Sequence, residues 1–435
     1  MKVHIITLGC AKNVVDSEKL MAQLEVNGVD LAPALEEADI ALINTCGFID
    51  AAKEESISAI LETARRKGKG RLKKVYAFGC LSQRYMLDLT GDIPEVDRFF
   101  GVNSTEELLR ELGLEYRMEL LGERHLTTPS HFAYLKISEG CDNPCSFCAI
   151  PLMRGGHKSR SMEDIVLEAE RLAMRGVREL VVIAQDTSFY GLDLYGRRRL
   201  ADLLSHLEAI DGVEWVRLMY AYPAKFPMDV LDVMARSAVI CPYIDIPVQH
   251  TSDSILKSMR RGVSSQAQRD LLRSMRERVP GIALRTTLIV GYPGETAREF
   301  DELLRFVEEM KFERLGVFTY SQEEGTAAHP LGDPVPLSEK ERRRSLLMEL
   351  QQGLSQELNN SLIGTRQRVL IDRQEGGRYF GRTAWDAPEI DNEVIVSSSE
   401  PLTLGGFCQI DIIDAYEYDL VGTVGSMIPG REQIV

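Results

Sequence analysis

The sequence predicts an α/β protein in three parts: a parallel α/β domain, a parallel barrel of six βα units, and a small antiparallel β-barrel. Three observations predict it. Compact apolar runs alternate with helix-periodic segments through most of the chain, as βα units require. One long polar helical stretch, "SEKERRRSLLMELQQGLSQELNNSLIG", then breaks the alternation. Beyond it, short β-rich runs are separated by Gly and Pro, the pattern of a small closed sheet. A chain of 435 residues is too long for one ordinary domain. With 44% hydrophobic residues and a mean hydropathy of -0.14, it has the composition of globular cores and not of disorder.

In the first domain (1–112), "KVHIITLGC" reads as a strand, followed by helical spacing at Val15, Leu20, Met21 and Leu24. "DIALINTC" precedes "IDAAKEESISAILETARRKG", a helix closing at Gly68, and "KVYAFGC" precedes "LSQRYMLDLTG". Each of these strands ends in a cysteine: Cys10, Cys46 and Cys80. Ligands of open parallel sheets sit beyond the carboxyl ends of the strands, so the three thiols can converge there. The alternative is three separate core thiols. Asp16–Glu18 are placed to cap the first helix. The opening "MKVHIITLGC" has too short an apolar run for a signal peptide, and no window approaches the ~18 apolar residues of a membrane span. A cytoplasmic, reducing setting with no membrane partner is therefore expected, where eight cysteines point to metal or redox chemistry before disulfides.

Residues 113–131 read as a linker, and 132–335 as the barrel. Its strands are expected at 132–138, 179–186, 215–220, 243–249, 283–291 and 314–320, with helices such as 161–176 and 296–310 between them. The segment "EGCDNPCSFCAIP" follows the first strand directly, which puts Cys141, Cys145 and Cys148 at the carboxyl mouth, where such barrels carry chemistry. A connecting helix is expected over 336–362 and the antiparallel β-barrel over 363–435.

The spacing C-x3-C-x2-C supplies three soft ligands with no fourth cysteine nearby. Zinc completed by His157 is one reading. An iron–sulfur cluster that keeps one iron free to bind a small molecule is the other, and it is favoured because zinc sites more often come as paired knuckles. With the aromatic Phe147 just before the last cysteine, the motif and its six-unit setting resemble the radical S-adenosylmethionine (radical SAM) superfamily over about 132–335. The resemblance implies a partial (β/α)6 barrel and a [4Fe-4S] cluster whose open iron chelates S-adenosylmethionine. One electron then cleaves a C–S bond to give a 5′-deoxyadenosyl radical. By the same resemblance Phe147, Gln185, Arg285, Thr287 and Gly291 contact the cosubstrate.

The whole chain is similar to the methylthiotransferases, which end in a TRAM-like β-barrel. That similarity implies that Cys10, Cys46 and Cys80 hold a second [4Fe-4S] cluster, whose open iron carries sulfur. One S-adenosylmethionine methylates that sulfur; a second furnishes the radical that opens a C–H bond. No general base is assigned. Partners implied are a reducing electron donor and a sulfur donor.

Three stretches, "CAIPLMRGGHKSRS", "AQDTSFYGLDLYG" and "DIPVQHTSDSILKSMRRG", resemble the RimO-type branch. Its substrate is an aspartate β-carbon in small-subunit ribosomal protein twelve; the alternative is the branch that modifies a tRNA adenosine. Charge discriminates. The chain carries -15, and residues 363–435 hold six arginines, no lysine and twelve acidic residues. Such a tail repels phosphates and suits a basic ribosomal protein, although acidity also serves solubility. Basic spots occur at Arg260–Arg261 and at Arg342–Arg344, the latter expected on a solvated helix face. Cys241 and Cys408 read as core thiols; His157 and His250 either flank substrate surfaces or are hydrogen-bonded structural residues. A rival from another class is a zinc-stabilised, non-catalytic adaptor that docks on ribosomes.

Overall fold

The computed structural model describes residues 1–118 and 122–425; Arg431 and Glu432, counted in the charge of the tail, lie outside the described residues. The first domain is a wholly parallel sheet of β1 (Lys2–Thr7), β2 (Asp30–Leu31), β3 (Ile40–Thr45), β4 (Lys74–Gly79) and β5 (Arg98–Phe99), in the order β2-β1-β3-β4-β5. The central strand β3, "IALINT", is buried along its whole length, as a strand covered on both faces must be. Leu42 packs with Leu20 and Leu24 of α1 (Ala11–Val26) on one face, and Ile43 with Ile60 of α2 (Asp50–Arg66) on the other. Gly68, at φ +74, closes α2 where the sequence places the stop. The strand order reverses between β1 and β3, which opens a crevice at their carboxyl ends.

The second domain is an open parallel sheet of six strands: β6 (Phe132–Lys136), β9 (Glu179–Ile183), β10 (Trp215–Leu218), β11 (Ile240–Asp245), β12 (Ala283–Val290) and β13 (Arg314–Thr319). Between β6 and β9, the two-residue strands β7 (Ser138–Glu139) and β8 (Lys158–Ser159) pair antiparallel and bracket the cysteine loop. All six expected strands are present. β11 starts three residues early, running through Pro242, because its pairing with β10 shifts register there and accommodates a residue without a donor. The helix-side face forms the largest core, around Leu135, Val182, Leu218 and Ile244. The inner face, with Tyr134, Ile183, Trp215, Met219 and Tyr243, is filled by Val15 of α1 and by Leu370 and Ala387 of the tail.

The helix Leu337–Ser361 leads to a closed barrel of β14 (Arg366–Glu375), β15 (Arg378–Arg382), β16 (Val394–Ser397), β17 (Phe407–Ala415) and β18 (Leu420–Val424). It is antiparallel except for the parallel pair β16–β18. The segment between β15 and β16 leaves this barrel and lines the base of the larger one. Arg314 Nε donates to Asp386 Oδ1 at 2.9 Å, Tyr134 to Glu389 at 2.8 Å, Tyr243 to Asp391 at 2.7 Å, and Arg217 Nη1 to the Ala384 carbonyl at 2.7 Å.

Three local expectations fail. Asp16–Glu18 do not cap α1, whose N-cap is Cys10; Asp16 and Glu18 instead reach the barrel domain and the linker. Arg343 is buried, with Nη1 2.9 Å from Glu295, so only Arg342 and Arg344 face solvent. Cys408 is half-buried at the edge of the tail core, whereas Cys241 is buried as expected.

Candidate active site

Cys10, Cys46 and Cys80 stand at the carboxyl ends of β1, β3 and β4, the first two flanking the switch-point crevice. Cys46 and Cys80 are buried, whereas Cys10 is exposed. The local backbone is built for this approach. Gly9 has φ +94, and a Cβ there would stand 2.7 Å from Cys46 Cβ and 3.0 Å from its sulfur. Gly79 has φ +103 and sits against Thr45, where a Cβ would meet the carbonyl at 2.7 Å. Asn13, fully buried on α1, clamps the strand ends: its Nδ2 donates to Leu8 O at 2.7 Å and to Thr45 O at 3.2 Å. Ser56 Oγ accepts from Cys46 N at 3.0 Å.

The second triad lies on the loop after β6. Ser146 N donates to Met259 O at 3.0 Å, and Asn143 Nδ2 to Asp186 at 2.7 Å, so the loop is pinned to two other βα units. Arg261 Nη1 donates to Cys145 Sγ at 3.2 Å while its guanidinium stacks 4.3 Å from the Tyr222 ring centre. Burial pushes the Cys80 and Cys141 thiols up to about 11 and Cys148 to about 12; Cys46 also rises through burial. Opposing this, backbone N–H groups of Phe48, Asn143 and Ile150 point at the sulfurs of Cys46, Cys141 and Cys148.

One residue joins the two sites. Arg154, at the end of the helix Ile150–Arg154, is 4% exposed. Its Nε donates to Cys80 Sγ at 3.3 Å and its Nη2 to Asn13 Oδ1 at 2.7 Å. Its Nη1 donates to Asp16 at 3.1 Å and to Glu139 at 2.9 Å, and Lys136 pairs with both carboxylates. Arg154, Asn13, Glu139, Arg261 and Tyr222 are missed by sequence reasoning. The signals were the place of Arg154, six residues past Cys148 in "CAIPLMRGG", and the basic pair Arg260–Arg261, of which Arg261 is buried against Cys145.

The expected cosubstrate contacts are dispersed. Gln185 reaches the site, donating to Glu139 at 2.9 Å, two residues before Cys141. Phe147 is half-buried beside Tyr292 and Ile289. Arg285 is held by two carboxylates, Asp245 at 2.9 Å and Asp391 at 3.2 Å. Thr287 is half-buried, its carbonyl accepting from Gln249 N at 2.9 Å. Gly291 N donates to Glu295 at 2.6 Å, with the Lys340 side chain packed where a Cβ would point. His157 is buried, with Nε2 3.1 Å from Ser159 Oγ, and His250 Nδ1 accepts from Ser252 N at 3.0 Å; both have structural partners.

Among the described residues no three His, Cys, Asp or Glu side chains are placed to hold a single ion. The donor sets themselves suit an iron–sulfur group: three thiols each, N–H groups aimed at sulfur, and a buried guanidinium on one sulfur of each triad.

Residues 2–101 match the uncharacterized protein family UPF0004, residues 135–307 the radical SAM superfamily, and residues 363–424 the TRAM domain. A protein of Flavobacterium johnsoniae named ribosomal protein uS12 methylthiotransferase RimO is 55% identical, covering 97% of each chain. A protein of the same name from Cytophaga hutchinsonii is 52% identical over 97% of this chain and 98% of its own. Among solved structures, the radical SAM methyltransferase TsrM from Kitasatospora setae shares the fold at 14% identity, with a TM-score of 0.56 over 86% of this chain and 79% of that one. The radical enzyme OxsB reaches 0.51 at 14% identity, over 80% of this chain and 56% of its own. With such identity over almost its full length, and three thiols at the mouth of a radical SAM barrel, the chain belongs to the RimO family of radical S-adenosylmethionine methylthiotransferases.

Proposed function

We propose that this enzyme inserts a methylthio group at the β-carbon of an aspartate in ribosomal protein uS12, using two [4Fe-4S] clusters, one on each thiol triad. The substrate follows from relatives that carry its name at about half identity. The two-cluster reading is carried by one observation: a second thiol triad at the carboxyl ends of a second parallel sheet, joined to the first through Arg154. As a radical SAM enzyme the chain uses S-adenosylmethionine and a [4Fe-4S] cluster. Cys141, Cys145 and Cys148 would hold that cluster, which would supply the electron for cleavage of the cosubstrate.

The chain's own residues prepare this chemistry. Val15, Ile183, Met219 and Tyr243 fill the barrel interior and exclude water from where a carbon radical must survive. Arg261 and Tyr222 orient Cys145; Asn143 and Asp186 hold the loop. Phe147, Gln185, Arg285, Thr287 and Gly291 are proposed to border the cosubstrate, with Gln185 fixed through Glu139. A cytoplasmic reductant and a sulfur donor complete the reaction. Among the described residues no helix is long and apolar enough to cross a membrane.

The acidity of the tail is weaker support for a basic substrate than its count implies. Asp372, Asp386, Glu389 and Asp391 are engaged inside the chain, and Glu393 and Asp411 pair with tail arginines. The substrate therefore rests on the relatives and not on charge. Anaerobic reconstitution followed by assay tests the whole reading: about eight irons per chain, and a gain of one sulfur and one CH2 on uS12. Cys145→Ala abolishes 5′-deoxyadenosine formation; Cys46→Ala retains it and loses methylthiolation. The same mass gain on a tRNA nucleoside, with uS12 unchanged, overturns the assignment.

A further inference from the structure

We propose that Arg154 is a positioning residue shared by both sites, which raises the reduction potential of the group held by Cys10, Cys46 and Cys80 and fixes that group against the barrel triad. This rests on the two-cluster reading. Arg154 belongs to the barrel by sequence, six residues past Cys148, yet its Nε and Nη2 reach Cys80 and Asn13 of the first domain. Asn13 in turn holds the carbonyls of Leu8 and Thr45, so the residue that orients the guanidinium also sets the strand ends before Cys10 and Cys46.

Charge balance does not demand the contact with sulfur. Asp16 and Glu139 are already matched by Lys136 and Arg154, two carboxylates against two cations. The Nε–H on Cys80 Sγ is therefore surplus to the ion-pair network, and its direction is set by Asn13 and the helix end. A hydrogen bond and a permanent positive charge at a ligating sulfur both favour the more negative, reduced form of an iron–sulfur group. Only arginine supplies both without ever releasing its proton. The barrel triad has its own counterpart in Arg261 on Cys145, so loss of Arg154 takes a guanidinium from a sulfur of the first-domain triad alone.

The test is a redox titration followed by electron paramagnetic resonance on the full-length reconstituted chain, Arg154→Gln and Arg154→Lys. The same substitutions in a Cys141→Ala/Cys145→Ala/Cys148→Ala background assign the first-domain signal. Gln is expected to make reduction of that group at least tenfold less favourable, about 59 mV for one electron. Lys keeps the charge but not the planar fork, so a smaller shift of the same sign is expected, and the barrel signal stays in place. If Gln prevents folding, Lys alone decides, because an unshifted potential in a folded Lys variant contradicts the proposal. Full iron content with parental potentials in both variants overturns the role of Arg154 and leaves the two-cluster reading standing. Absence of bound iron in the triple-cysteine background overturns the two-cluster reading itself.

Discussion

Glu168 sits fully buried among cations: Arg124 at 2.8 Å, Arg160 at 2.7 Å and Lys19 at 3.8 Å. Burial alone would raise its carboxyl, but Lys19, Arg160 and Arg124 outweigh that and hold it at about 2. A carboxylate depressed in the folded state contributes stability above its unfolded value of roughly 4.3, and that contribution is lost as pH falls toward 2. The parent should thus lose about 2 kcal/mol between pH ~4.5 and 2 from this group alone. Glu168→Gln should be less stable at pH 7 by about 3 kcal/mol, since it leaves buried Arg124 with Glu18 as its one carboxylate, and flatter across the acid window. Urea unfolding at stepped pH measures both; equal slopes for the two proteins would refute the assignment. At this scale the thiols were legible, because spacing and strand-end position are written in the chain. Arg154 and Arg261 were not: an arginine's partners are set by tertiary approach, and nothing in "PLMRGG" or "SMRRG" names a sulfur as the acceptor.

The segment between β15 and β16 shows the same gap for a whole element. No element or role is read for "TAWDAPEIDN" from the sequence. It closes the base of the larger barrel, with Asp386 and Asp391 each 2% exposed as side chains and bonded to Arg314, Tyr243 and Arg285. Inward-pointing Arg217, Tyr243 and Arg285 are polar groups in a barrel core; Glu179 and Asp245 of the strands meet part of their need, and this segment supplies the rest. Asp391→Ala removes the acceptor of Tyr243 and one of the two carboxylates on Arg285, so a loss of about 3 kcal/mol is expected. Protease cleavage after β15 should accelerate accordingly; an unchanged cleavage rate would show that the segment does not anchor the tail. Strands and helices were legible where periodicity was clean, as in β3, α2 and the six barrel strands. The start of β11 was hidden because Pro242 reads as a breaker until its register shift is seen.

Across the whole molecule, the boundaries read from the chain are covalent boundaries and not energetic ones. The first domain meets the barrel through Val15 in the inner core and through Glu323, 3% exposed, which faces Lys53 at 3.0 Å and Arg84 at 2.5 Å. The tail meets it through Arg314–Asp386 and through Arg382 at 2.7 Å from Glu179. Such pairs are costly to break one-sidedly, because the partner left behind remains buried and charged. Opening either interface separates several of these pairs at once, so the three parts should unfold together. The full metal-free chain is expected to show one calorimetric transition, although its length alone would favour several. Glu323→Gln cuts the tie nearest Cys46, since Arg84 Nη1 also donates to Gly47 O at 3.3 Å. It should release the first domain as a separate, earlier transition while the barrel and tail still melt as one. Two transitions in the parent chain would mean that the domains are linked by sequence alone, and the shared geometry around Arg154 would then lack the rigid frame it requires.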